Sequence, residues 1–222
     1  IFRSDERRVS ASFTALLQCI VSKRILVGIS LNAIDFLVLN AMRLAEHAHR
    51  LRDHRRKAPP GEDRPAYFLH LSEVAWLLTD SGIRDEELIA AAFLHDIIED
   101  CGYNAQSLAE AIANQRVAYL VAAVSEIDKG QSWETRQQVY RERLATLNDP
   151  AILALSCADK ISNLMDMNRL LAKGYPVDSF TRRGFESQQA KFEALDRLFQ
   201  GRVFERLYQR FTLAFMEFRA SG

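Results

Sequence analysis

The sequence predicts an all-α protein, a single helical bundle with an extra segment at its N-terminus. Three observations lead there. Glycine and proline number only 9 and 5 in 222 residues, and they fall between apolar-periodic segments rather than inside them. Apolar residues recur at three- and four-residue spacing, and no stretch alternates at period two long enough to make a sheet. Hydrophobic residues are 48% and charged residues 26%, an ordinary globular balance with material for one sizeable core.

The elements follow in order. Residues 1–30 carry an early basic cluster and a later apolar stretch broken by Ser22, Lys23 and Arg24. No small-residue cleavage site follows, so an extra helix, or sequence upstream of the fold, is expected rather than a targeting peptide. The main domain is placed at 31–222. Asn32 to about Leu51 is amphipathic, with Phe36, Leu37, Leu39, Ala41, Leu44 and Ala48 at helical spacing. A basic loop, RDHRRKAPPGEDRPAY, is punctuated by Pro59, Pro60, Gly61 and Pro65. A helix from about Leu69 to Thr79 ends near Gly82. Asp85 caps a helix expected to continue through Asp100. Asn104 or Ser107 opens the next, Val117 to Ile127 forms another, and Asp128-Lys129-Gly130 makes a loop. Trp133 to Leu147 is polar-faced and helical. Asp149-Pro150 starts a helix with proline at its first position, running to about Leu171. Lys173-Gly174-Tyr175-Pro176 stops it. Two helices fill Ser179–Phe199 and Val203–Arg219.

Whole-chain properties exclude several functions. Twenty-nine basic residues balance 29 acidic ones, so a broad electrostatic footprint for nucleic acid or a membrane surface is not expected. No apolar run approaches the roughly 18–20 residues that span a bilayer. Cys19, Cys101 and Cys157 are scattered and form no CxxC, which predicts a reducing, cytoplasmic setting without a disulfide framework.

The chemistry concentrates at LHDIIED, Leu94 to Asp100, at the end of a strongly apolar stretch. On one continuous helix, with His95 at zero, Glu99 lies at about 40°, Asp96 at about 100° and Asp100 at about 140°. One imidazole and three carboxylates then share an arc. Three close carboxylates repel one another and are costly to desolvate, and a cation removes both objections. Imidazole with carboxylate suits divalent Mn, Fe or Zn. The plain alternative is a helix end leaving the core, but acids there oppose the helix dipole.

Two other stretches add to this one. His70 begins the helix whose apolar face holds Val74, Leu77 and Leu78. In SCADKISNLMDMN, Asp159, Asn163 and Asp166 lie within about 60° on one stripe. The almost wholly apolar run before Asp159 predicts a buried carboxylate in need of a partner. His47, His49 and His54 read as surface residues, and Arg55, Arg56 and Lys57 read equally well as a solvated run.

The order His, His-Asp, Asp resembles HD-domain metal-dependent phosphohydrolases. The words RRK, PAYFLHLSEVAWLL, IAAAFLHDIIED and ADKISNLMDMNRL, within about Ala41 to Arg169, most resemble the (p)ppGpp hydrolase domain of the RelA/SpoT family, and within it the small hydrolase-only alarmone hydrolases. That resemblance implies a metal, typically Mn²⁺, on His70, His95, Asp96 and Asp159. It implies that Glu99 and Asp100 help generate the attacking water. Arg56, Lys57, Lys160 and Asn163 would contact a nucleotide substrate. The implied reaction is hydrolysis of (p)ppGpp to GDP or GTP with release of pyrophosphate, expected here without a synthetase activity. Some positions depart from the family pattern. Leu71 stands where a proline usually follows the first His. The basic loop lacks the usual Gly-Gln before its arginine and is about three residues longer. Gly184 aligns with a nucleotide-contacting tyrosine, with Phe185 and Tyr175 nearby. These departures leave open an HD phosphohydrolase for another nucleotide, or a nucleotide-binding regulatory module without turnover. A plain helical interaction protein would bind no metal.

Overall fold

The computed structural model describes residues 33–126 and 130–222, with side chains from 36 onward. The expected N-terminal extension, and the Ile127-Asp128-Lys129 end of one predicted helix and its loop, lie outside the described residues. Described elements are α1 (Ala33–Leu51), α2 (Phe68–Asp80), α3 (Glu86–Leu94), α4 (Ile97–Cys101), α5 (Ala105–Ile112), α6 (Gln115–Val124), α7 (Trp133–Thr146), α8 (Pro150–Ala172), a 3₁₀ turn (Val177–Ser179), α9 (Phe185–Phe199) and α10 (Glu205–Ala220). Among the described residues there is no strand, only a single antiparallel bridge between Arg55 and Ala66. None of the described helices is long and apolar enough to cross a membrane.

Helix starts follow side-chain chemistry. Asp85 accepts from the backbone N–H groups of Glu87 and Leu88. Asn104 and Ser107 form a reciprocal capping box at α5. Asp149 caps α8, with Pro150 at its first position.

Helix α8 is the axis of the bundle. Every residue from Ala151 to Asp159 is buried, because α2, α3, α6 and α10 all pack against this helix. That explains its unbroken apolar run. At the far end, α9 and α10 pack through phenylalanines: Phe192, Phe199, Phe211 and Phe218 are fully buried. Phe199 and Phe211 meet edge to face with centroids 5.3 Å apart, a favoured aromatic geometry.

Two expectations about helices are corrected. The helix capped by Asp85 does not run through Asp100. It stops at Leu94, and Asp96 (φ −99°, ψ 1°) turns the chain before α4 begins. Helix α4 then ends at Gly102, whose φ of +79° suits a residue without Cβ. The helix expected from Ser179 begins only at Phe185. After the 3₁₀ turn, Thr181 Oγ1 accepts no helical role but donates to the Val177 carbonyl at 3.1 Å, a local bond that competes with helix propagation.

Candidate metal centre and active site

His70 comes from the first turn of α2, His95 and Asp96 from the turn between α3 and α4, and Asp159 from the middle of α8. The packing of α2 and α3 on α8 brings them to one point. The Nε2 atoms of His70 and His95 lie 3.2 Å apart. His70 Nε2 is 3.3 Å from Asp159 Oδ1 and 3.6 Å from Asp96 Oδ2. His95 Nε2 is 3.0 Å from Asp96 Oδ2 and 3.7 Å from Asp159 Oδ1.

The outer partners decide the tautomers. His95 Nδ1 is 2.8 Å from the Ala92 carbonyl, which can only accept. Ser162 Oγ donates to Glu73 Oε2 at 2.6 Å, and so accepts from His70 Nδ1 at 2.8 Å. Both rings therefore keep the Nδ1 proton and turn Nε2 inward, as metal-ligating histidines do. Burial opposes charge on Asp96 and Asp159, yet His95 beside the first and Lys160 beside the second hold both well below the usual carboxylate range. Burial likewise opposes charge on His95, but Asp96 and Asp159 outweigh it and raise the ring well above its ordinary value. The pocket demands positive charge at one point, and two imidazole nitrogens with two carboxylates fit a divalent cation. Among the described residues, His70, His95 and Asp159 offer donor atoms all within 4.8 Å of one another.

Of these donors His95, Asp96 and Asp159 line a cleft of about 950 Å³. Glu99 and Asp100 line it from α4. Glu99 Oε1 accepts from the Glu126 backbone N–H at 2.7 Å. Burial, and then the Asp96 charge, push the Glu99 carboxyl up to about 8. Asp100 Oδ2 lies 3.8 Å from His54 Nδ1. The basic loop folds back on itself, with the Arg56 N–H donating to the Pro65 carbonyl at 2.9 Å. That presents Arg56 and Lys57 to the cleft.

The predicted substrate residues differ in their surroundings. Lys57 is exposed. Arg56 is buried, and its guanidinium donates to Asp166 Oδ2 at 3.1 Å and Asn163 Oδ1 at 3.2 Å. Asn163 Nδ2 donates to Asp159 Oδ1 at 2.6 Å, and Lys160 Nζ to Asp159 Oδ2 at 2.6 Å. Arg56, Asn163 and Lys160 thus form a chain of donors behind Asp159. Gly184 caps α9, Phe185 stacks on Phe218, and the Tyr175 hydroxyl donates to Glu62, so neither aromatic ring lines the cleft.

Sequence reasoning missed an outer layer. His49 is buried, not exposed, and its ring stacks with His54 and Tyr67. The Tyr67 hydroxyl donates to Asp96 Oδ2 at 2.6 Å. The available signal was spacing, since Tyr67 lies three residues before His70 and Ser162 three after Asp159, each one helical turn from a ligand candidate. Removing one link tests this layer. Ser162→Ala should weaken Mn²⁺ binding by about 10- to 100-fold, read by competition with a chromophoric chelator. Unchanged affinity would mean that Ser162 does not set the His70 tautomer.

Comparison with known proteins identifies the family. The HD domain family model matches residues 41–175. The MESH1 guanosine-3′,5′-bis(diphosphate) 3′-pyrophosphohydrolase of Danio rerio is 33% identical over 140 residues, covering 63% of this chain and 73% of that protein. The guanosine-3′,5′-bis(diphosphate) 3′-pyrophosphohydrolase of Aquifex aeolicus is 35% identical over 99 residues, 44% of this chain, which spans only 14% of that longer relative. The solved structure of a metazoan ortholog of SpoT superposes with a TM-score of 0.66 at 22% identity, covering 82% of this chain and 94% of that one, a likeness of fold. The chain belongs to the HD domain family, with homology to its MESH1-type pyrophosphohydrolases.

Proposed function

We propose that this protein is a divalent-metal-dependent phosphohydrolase that removes the 3′-diphosphate of guanosine alarmones, converting ppGpp to GDP, or pppGpp to GTP, with release of pyrophosphate. The convergence of His70, His95, Asp96 and Asp159, three of which line a cleft together with Glu99, Asp100 and basic side chains, carries this reading. The homology to pyrophosphohydrolases of this substrate supports it.

The four donors would hold Mn²⁺, or another divalent ion, which when bound polarises the phosphate and lowers the pKa of water. Glu99, anchored through the Glu126 N–H, takes a proton from the attacking water. Asp100 orients that water from the same short helix. Water adds to the phosphorus on O3′, the bond from that phosphorus to O3′ breaks, and O3′ takes a proton. Lys57 binds the outer phosphate, and Arg56 holds Asn163 and Asp166 in place along the cleft wall. Tyr67, which donates a hydrogen bond to Asp96, would keep that carboxylate turned toward His70 and His95.

The test is direct. Protein stripped and reloaded with Mn²⁺ is incubated with ppGpp, and GDP and pyrophosphate are followed by anion-exchange chromatography. The expected result is both products in equal amount from the wild type and neither from Asp96→Ala. Bound manganese without product would remove ppGpp as substrate. A second reading, an HD phosphohydrolase of a different nucleotide, draws on Gly184 and on the absence of Tyr175 and Phe185 from the cleft. A panel of 3′- and 5′-phosphorylated nucleotides separates the two.

A further inference from the structure

Most cations around the cleft are already engaged. Arg56 serves Asp166 and Asn163, and Lys160 serves Asp159. Arg183 lies 3.4 Å from Glu134 and covers the Trp133 ring. Arg136 Nε is 3.6 Å from Glu126. Lys191 differs. It projects from α9 into the cleft wall, partly buried, one turn after the buried Gln188 that lines the same wall. Its Nζ lies 5.4 Å from the Phe192 ring centroid, and among the described residues it makes no hydrogen bond or ion pair. Burial, and then the Lys160 charge, lower its ammonium to about 8, against the opposing charges of Asp159 and Glu126. A lysine stem packed on an aromatic ring is common, but such stems usually carry the head group to water or to a carboxylate. Here the ammonium lines the cleft wall without a carboxylate at ion-pair distance among the described residues, an arrangement that a bound anion relieves.

We propose that Lys191 is a specificity-determining residue that binds a second phosphate-bearing group of the substrate, away from the ester at the metal ligands, so that the cleft favours nucleotides phosphorylated at two positions. This rests on the reading of the cleft as a nucleotide phosphohydrolase site. The metal end then holds the 3′-diphosphate, and Lys191 on α9 holds the 5′-phosphates.

Lys191→Met, which keeps the stem and removes the charge, is compared with wild type on ppGpp and on guanosine 3′-diphosphate, which lacks 5′-phosphates. The expected result is a KM for ppGpp raised about tenfold, the scale of one charged hydrogen bond, with KM for guanosine 3′-diphosphate unchanged. Lys191→Arg should restore most of the difference. Equal effects on both substrates, or none, overturn the inference. If wild type hydrolyses neither substrate, the functional reading fails on its own, and calorimetric binding of ppGpp decides. Weaker binding to Lys191→Met than to wild type then sustains the phosphate subsite, and equal binding overturns it.

Discussion

Replacing Asp159 with alanine is expected to abolish metal binding and hydrolysis together and to destabilise the fold. Asp159 contributes one of the four converging donors and lies in the middle of α8, at the end of its unbroken buried run from Ala151. A catalytic metal stabilises a transition state by several kcal/mol, so its loss should lower kcat/KM on the order of 10³-fold or more. The stability effect has a separate origin. Lys160 Nζ lies 2.6 Å from Asp159 Oδ2, and the two side chains are each 12% exposed. Removing the carboxylate strands a buried ammonium, a change that costs about 3–5 kcal/mol in comparable pairs. Asp159→Asn separates the two effects, because the amide oxygen still accepts from Lys160 while metal affinity falls. Metal content by atomic spectroscopy and thermal melting read the two consequences independently. An Asp159→Ala protein that retains stoichiometric metal would refute the ligand assignment.

The second large effect concerns the core. Phe211→Ala should destabilise the domain by about 3–5 kcal/mol, the range for large-to-small changes at fully buried aromatic sites. Phe211 is fully buried and packs edge to face on Phe199 across the α9–α10 interface. For a domain of this size, that corresponds to a fall in Tm on the order of 10 °C. Phe211→Leu, which refills most of the volume, should recover more than half of it. The site residues lie on other helices, so metal affinity below the transition should be unchanged. A Tm within 2–3 °C of wild type, against the scale expected for such a cavity, would show that α10 contributes little to the core.

The all-α class and most helix positions were legible because they depend on local chemistry: amphipathic spacing, the Asp85, Asn104 and Asp149 caps, and Gly82 and Gly174 as stops. The candidate ligands were legible by residue type, since a histidine and carboxylates at the end of an apolar run need a partner that brings positive charge. Their geometry was not. The arc drawn on one continuous helix failed at His95–Asp96, because the His95 ring takes the Ala92 carbonyl and Asp96 turns toward residues of α2 and α8. No property of LHDIIED by itself encodes that turn. His49 looked like a surface residue because its partners, His54 and Tyr67, reach it only when the basic loop folds back. Arg56 looked free because Asp166 and Asn163 are more than a hundred residues away in sequence. What the sequence by itself determined was which segments become helices and which side chains can ligate a cation, both set by neighbours within a turn or two. The tertiary structure alone decided which atoms meet, which charges are paired and which lysine faces the cleft without a carboxylate, because those depend on how α2, α3, α8 and α9 pack.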